Sequence, residues 1–221
     1  YHDHSTPAVR DRLVAAVRDG KSLAYVSEAG TPLVADPGYK LAAEMRAVNL
    51  PLTSAPGASA VLAALTVSGL PSDAFHFAGF LPSSTGARRK ALEGLRDLDA
   101  TLVLYESPKR IHAMLSDLSQ VMRDGRDVVI CRELTKKFEE VLSGTADDLL
   151  AQLDGRTLKG EIVVLIGRGD AEDLNEDDVK EALISAMKTM RVKDAASAVA
   201  GATGMAKRDV YQLALGLKDE T

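Results

Sequence analysis

Two stretches rich in glycine and proline, SEAGTPLVADPG at 27–38 and APGASA at 55–60, carry the first hint of chemistry. In the first, Gly30, Pro32, Pro37 and Gly38 bracket Leu33-Val34-Ala35, which is more backbone control than an ordinary connection uses. A strand followed by EAGTP falls where α/β proteins bind ligands, at the carboxyl end of the sheet. A second such loop in the same half lets both present backbone N–H and C=O groups to one small ligand. Two plain tight turns account for the pattern equally well. The spacing is not G-x-G-x-x-G, so a dinucleotide site is poorly supported. Farther along, RELTK at 132–136 gathers Arg132, Glu133 and Lys136 at a strand end, an arrangement for proton transfer or for an ion pair. No metal site is expected: His2, His4, His76 and His112 lack ligand spacing, and Cys131 lies inside the core-like VVICRE. Met187, Met190 and Met205 read as helix packing.

The elements that must position these groups alternate between helix and strand. Ser5-Thr6-Pro7 predicts a helix start, a hydroxyl N-cap ahead of Pro at the first helical position, with Val9, Leu13, Ala16 and Val17 at helical spacing. SLAYVS (22–27) predicts a buried strand, 38–48 a helix, PLTS (51–54) a short strand, and 55–69 a loop feeding an apolar helix. Such punctuation favours a parallel α/β sheet. After SGLPSD (68–73) the pattern restarts, with strands at 74–80, 101–106, 127–133, 139–144 and 160–167 and helices at 86–96, 108–122 and 146–153. The last of these helices opens on Thr145-Ala-Asp-Asp148, a capping-box pattern. Beyond 169 no strand is expected. Asn175 caps a first helix, and helices at 192–204 and 206–217 around Gly204 outline a helix-turn-helix. The divisions are 1–72, 73–170 and 175–221.

Composition narrows the classes. Of 221 residues 46% are apolar, enough for a core, but Trp is absent and aromatics are 4%, so that core is aliphatic. A net charge of −5 argues against wholesale polyanion binding while leaving room for a local basic patch. A single Cys excludes an intramolecular disulfide and suits a reducing cytoplasm. No apolar run reaches membrane-spanning length, no signal peptide is visible, and no membrane role is expected.

Six motifs follow in order: SEAGTPLVADPGY, PGASAVLAALTVSGLPSDAFHFAGFLP, GARRKALEGL, TLVLYESPKRI, RELTKKFEEVLSGT and KGEIVVLI. Together, from Tyr1 to Leu217, they closely resemble the tetrapyrrole methylase superfamily, and within it the bacterial small-subunit rRNA (cytidine-2′-O)-methyltransferases. The resemblance implies two α/β domains with S-adenosylmethionine (SAM) in the cleft between them, a C-terminal helix-turn-helix-like domain, a homodimer and cytoplasmic location. It also implies a strand and Gly/Pro loop ahead of Tyr1, so the first domain is expected to be N-terminally truncated. Position by position, Ala29, Gly30, Thr31 and Val34 match the loop at the SAM tail and ribose, and Ser59 and Ala60 the next cofactor loop. Tyr105 falls by the adenosine and Gly160 by the adenine; packing is the alternative reading for Val34, Ala60 and Gly160.

The implied reaction is in-line attack of a ribose 2′-hydroxyl of 16S rRNA, near the decoding centre, on the SAM methyl. A hydroxyl is a poor nucleophile, so a general base is sought among Glu28, Glu106, Glu133 and Lys136. Glu28 stands where the family usually has Asp. Solvated or ion-paired groups are the alternative for each. Phosphate contacts are expected from Arg88, Arg89 and Lys90 in GARRK and from Lys109 and Arg110, solvated helix faces being the alternative. The absence of Trp, and Phe residues placed mostly in strand patterns, argue against an aromatic base-stacking platform. Two other readings stay open: a methylase of a porphyrinoid or other small molecule, and a non-enzymatic nucleic-acid-binding regulator.

Overall fold

The structure is a computed structural model that describes residues 1–2, 5–122, 125–169, 176–203 and 207–219. Helix α1 (Pro7–Arg18) begins with Pro at its start and Thr6 at the N-cap, though the Thr6 hydroxyl makes no capping bond. Helix α2 (Tyr39–Ala47) leaves Gly38, whose φ of 128° only glycine adopts readily. The two helices share a small core of Val14, Leu41 and Met45 and an Arg10–Glu44 ion pair at 2.5 Å. Helix α3 (Ala60–Ser68) is capped by the Ser59 hydroxyl, which accepts the Leu62 N–H, and stops at Gly69 in the left-handed conformation.

The strands expected at 22–27 and 51–54 do not form. An apolar run supplies β-propensity, but a strand exists only as half of a hydrogen-bonded ladder. Among the described residues neither segment has a ladder partner, and Val26 is 81% exposed rather than buried.

The remaining elements come at the expected places: β1 (Phe75–Phe80), α4 (Thr85–Leu95), β2 (Thr101–Glu106), α5 (Ile111–Val121), β3 (Val128–Arg132), β4 (Glu140–Gly144), α6 (Ala146–Gln152) and β5 (Ile162–Ile166). They build one five-stranded sheet in the order β1-β2-β5-β3-β4. The sheet is mixed, not parallel as expected. Only β1 and β2 pair parallel; β5 inserts antiparallel between β2 and β3, and β4 folds back beside β3. The short connection over 133–139 leaves no room for a crossover helix, so β4 must return antiparallel.

Alternation along the central strands sorts the core into two layers. Leu102, Leu104, Val128, Ile130, Ile162, Val164 and Ile166 face α4, α5 and α6. Val103, Val129, Cys131, Val163 and Leu165 face the other way, against Val61, Ala64 and Leu65 of α3. Helix α3 precedes the sequence boundary at 68–73 yet packs on the sheet that follows it. Thr145 caps α6 in a full capping box with Asp148.

Helices α7 (Glu176–Met187), α8 (Val192–Thr203) and α9 (Lys207–Asp219) close on one another through Val179, Leu183, Ala196, Val199, Val210 and Ala214. Met187 joins this cluster, whereas Met190 does not pack as expected and is exposed. His4, Asn175, Gly204 and Met205 lie outside the described residues. Among the described residues no helix is long and apolar enough to cross a membrane, and no group of His, Cys, Asp and Glu could hold a metal ion.

Candidate functional site

The loop at 27–38 is built on an unusual backbone. Gly30 and Gly38 have positive φ, and so do Leu33 (72°) and Ala35 (54°), which L side chains rarely adopt. Such residues cost on the order of 1–3 kcal/mol each and cluster where ligands are clamped. Side chains hold the path: the Ser27 hydroxyl bonds the carbonyls of Ala29 (3.2 Å) and Gly30 (3.1 Å), and Tyr25 donates to Pro37 O at 2.8 Å. A Cβ at Gly38 would lie 2.9 Å from both Leu33 and Tyr25. The Thr31 hydroxyl donates to Ala58 O at 3.0 Å, tying this loop to the second one, so the two glycine-bearing loops act as one wall.

The opposite wall is the sheet edge where β1 and β2 end and β5 begins. Between the walls lies a cleft of about 400 Å³. Ala29, Gly30, Thr31, Val34, Ser59, Ala60, Tyr105 and Gly160 all line it, although they come from four separate stretches of chain. Sequence reasoning missed Asp36, Phe80, Ser107 and Glu161, which also line it. Asp36, Ser107 and Glu161 each lie inside a quoted motif and within two residues of a residue singled out from sequence. Phe80 lies inside a quoted motif too, but nothing local singles it out; it is 59% exposed on the cleft wall.

Of the four general-base candidates, only Glu106 lines the cleft. Its side chain is 1% exposed, and Oε1 takes both the Ser107 N–H (2.7 Å) and an ion pair with Arg110 Nε (3.2 Å). Glu28 is exposed and outside the lining. Glu133 and Lys136 pair with each other at 2.8 Å, and Lys136 also reaches Glu161 at 2.9 Å. The Lys136 ammonium and then the Glu161 N–H hold the Glu133 carboxyl below its ordinary range, while Glu133 and Glu161 hold Lys136 above its own. Neither group is poised to accept a proton near neutrality; both act as a brace behind the cleft. Glu133 Oε1 accepts the Glu161 N–H at 2.9 Å, and Gly160 (φ 92°) lies so close that a Cβ there would run into the Glu133 carboxylate. Burial, with the charge of Glu161, pushes the Tyr105 phenol up, so it stays protonated.

The expected basic surface divides. Arg88 is not on it: Nε donates to Asp117 at 2.6 Å, Nη1 to Ser83 O at 3.1 Å, and both Arg88 and Asp117 are 3% exposed. Its position in α4 points into the α4–α5 seam, where an unpaired charge would be costly. Arg110 is likewise engaged, with Glu106 and with the carbonyls of Leu81 and Pro82. Arg89 bonds Asp117 at 2.7 Å but is 40% exposed. Lys90 and Lys109 are exposed and have no ion pair among the described residues.

Residues 3–150 match the family of tetrapyrrole (corrin/porphyrin) methylases, and 173–218 match the RsmI C-terminal HTH domain. Similar proteins named ribosomal RNA small subunit methyltransferase I occur in Mesorhizobium japonicum and Halalkalibacterium halodurans. The first is 44% identical over 99% of this chain and 75% of its own length, the second 36% over 96% and 76%. In fold the chain is similar to the methyltransferase CobJ (TM-score 0.54, 20% identity, 72% of this chain and 70% of that one). It is also similar to uroporphyrin-III-C-methyltransferase from Thermus thermophilus (TM-score 0.51, 22% identity, 73% and 71%). With its mixed sheet, its two-walled cleft and these matches along nearly its whole length, the chain belongs to the tetrapyrrole methylase family.

Proposed function

We propose that this chain transfers a methyl group from SAM to the ribose 2′-hydroxyl of a cytidine in small-subunit rRNA, near the decoding centre, as a cytoplasmic homodimer. The observation that carries the reading is the cleft, placed between the two glycine loops and the sheet edge in a chain so similar to proteins named as small-subunit rRNA methyltransferases. Its lining fits SAM. It is lined by Asp36, Glu106 and Glu161 and by no Lys or Arg, and with Glu106 paired to Arg110 and Glu161 to Lys136, Asp36 is the acid that suits a ligand with a sulfonium and an ammonium. Apolar surface from Val34, Ala60, Ile162 and Val163 suits the adenosine, and the first turn of α3 suits a carboxylate.

Bound there, SAM supplies an electrophilic methyl on a leaving group that needs no acid. The protein's part is alignment and a proton acceptor. Glu106 is the carboxylate assigned to that role, because it alone among the candidates lines the cleft. Both of its contacts fall on Oε1 and hold the group still. Lys90 and Lys109 offer exposed cations to phosphate and Arg89 a partly exposed one, positioning RNA without reading sequence. Exposed Phe138 and Val141, beside and on the edge strand β4, support pairing of two copies.

The test is methyl transfer from labelled SAM to unmodified small subunits and to stripped rRNA. Label in a 2′-O-methylcytidine is expected, with Glu106→Gln lowering kcat by about 100-fold or more while SAM still binds. Bound SAM without label on either acceptor refutes the rRNA assignment and favours a small-molecule acceptor. Full activity of Glu106→Gln refutes the assigned base.

A further inference from the structure

The wall of the cleft carries an aromatic ring that regular strand alternation would have turned away from it. On β1, Phe77 pairs with Val103 and Phe80 with Tyr105, the register slipping by one residue between Phe77 and Gly79. Without that slip Phe80 would share a side with Ala78, which packs on the α4–α6 core. The added residue, with Gly79 at φ 66°, brings Phe80 to the side of Phe77 and Tyr105 instead. Its ring stands edge-on to Tyr105 at 5.6 Å between centroids, and Phe77 backs Tyr105 at 4.9 Å. Bulges beside active sites commonly re-aim a side chain in this way.

The backbone that presents the ring is held on its far side. Leu81 is buried, and Arg110 donates to the carbonyls of Leu81 (2.6 Å) and Pro82 (3.1 Å) while paired with the buried Glu106. Phe80 is therefore carried by a held backbone, with its side chain 59% exposed on the wall of the cleft that Glu106 also lines. A large apolar ring so exposed has a cost unless something covers it.

We infer that Phe80 is the stacking surface for the acceptor nucleobase: an unstacked RNA base lies on the ring, which sets its ribose at the cleft. The inference rests on the reading of the cleft as the SAM site and of RNA as the acceptor. Bases freed from a helix are commonly held on aromatic rings, and the contact tolerates any ring of similar size.

The experiment compares Phe80→Leu, Phe80→Tyr and Phe80→Trp in the full chain. It reads kcat/KM for unmodified small subunits, SAM affinity by calorimetry, and melting temperature. Phe80→Leu is expected to lose about ten-fold or more in kcat/KM, with SAM affinity and melting unchanged, while Tyr and Trp keep most of the activity. Undiminished kcat/KM in Phe80→Leu overturns the inference. So does a parallel loss of SAM affinity, which would place the ring on the adenine. Failure of the unaltered chain to bind SAM overturns the reading of the cleft and the stacking with it.

Discussion

Arg88→Ala separates a structural arginine from an RNA-binding one. Arg88 and Asp117 are both 3% exposed and joined by short hydrogen bonds, and a second donor from Arg88 holds Ser83 O. Removing one partner of a buried pair costs about 3–5 kcal/mol. Arg89 still bonds Asp117 at 2.7 Å, so the lower end, about 3 kcal/mol, is expected. For a chain of this size that corresponds to a fall of roughly 6–12 °C in melting temperature. The assay is thermal unfolding by circular dichroism, beside a salt titration of small-subunit binding below the variant's transition. Arg88→Ala is expected to melt early and keep the wild-type salt slope. Lys90→Ala, an exposed position, is expected to melt with the wild type and reduce the slope by about one. An Arg88→Ala protein that melts like the wild type and loses a unit of salt slope would refute the placement of Arg88 in the α4–α5 seam.

Two further outcomes follow from the same geometry. Gly160→Ala forces a side chain into φ 92° and against Glu133, so the wall at 160–161 must move; SAM affinity is expected to fall by about ten-fold or more, measured by calorimetry. Burial pushes the Asp117 carboxyl up, but the hydrogen bonds from Arg89 and Arg88 outweigh it and hold the group below the ordinary aspartate range. Its contribution is present above that range and lost as pH falls through the lower folded value. Asp117→Asn is expected to shrink the loss of melting temperature between neutral and strongly acidic pH, and an unchanged acid limb would count against it.

The sequence by itself determined the elements whose signals are local. Pro7 placed the start of α1, Thr145 with Asp148 the start of α6, and the apolar runs the five strands of the sheet, because caps and periodicity act within a few residues. The two glycine loops were legible for the same reason: tight turns leave glycine and proline behind as their trace, and in the first loop Gly30 and Gly38 take positive φ. That Tyr105 and Gly160 share a cleft with those loops was read through resemblance to a family, since nothing local says that residues 29–34 and 105 share one space.

Tertiary structure alone decided the rest. Whether GARRK meets solvent or a buried carboxylate depends on Asp117, which lies on another helix. Whether SLAYVS becomes a strand depends on a ladder partner, and none runs beside it among the described residues. The insertion of β5 between β2 and β3 is a choice of pairing, invisible to alternation because every central strand reads alike. The bulge on β1 is the sharpest case. Period two, continued from Phe77, turns Phe80 away from the cleft, and one extra residue against β2 brings it back. Sequence pattern records what each residue prefers, whereas register and charge pairing are properties of two segments at once, settled only when they meet.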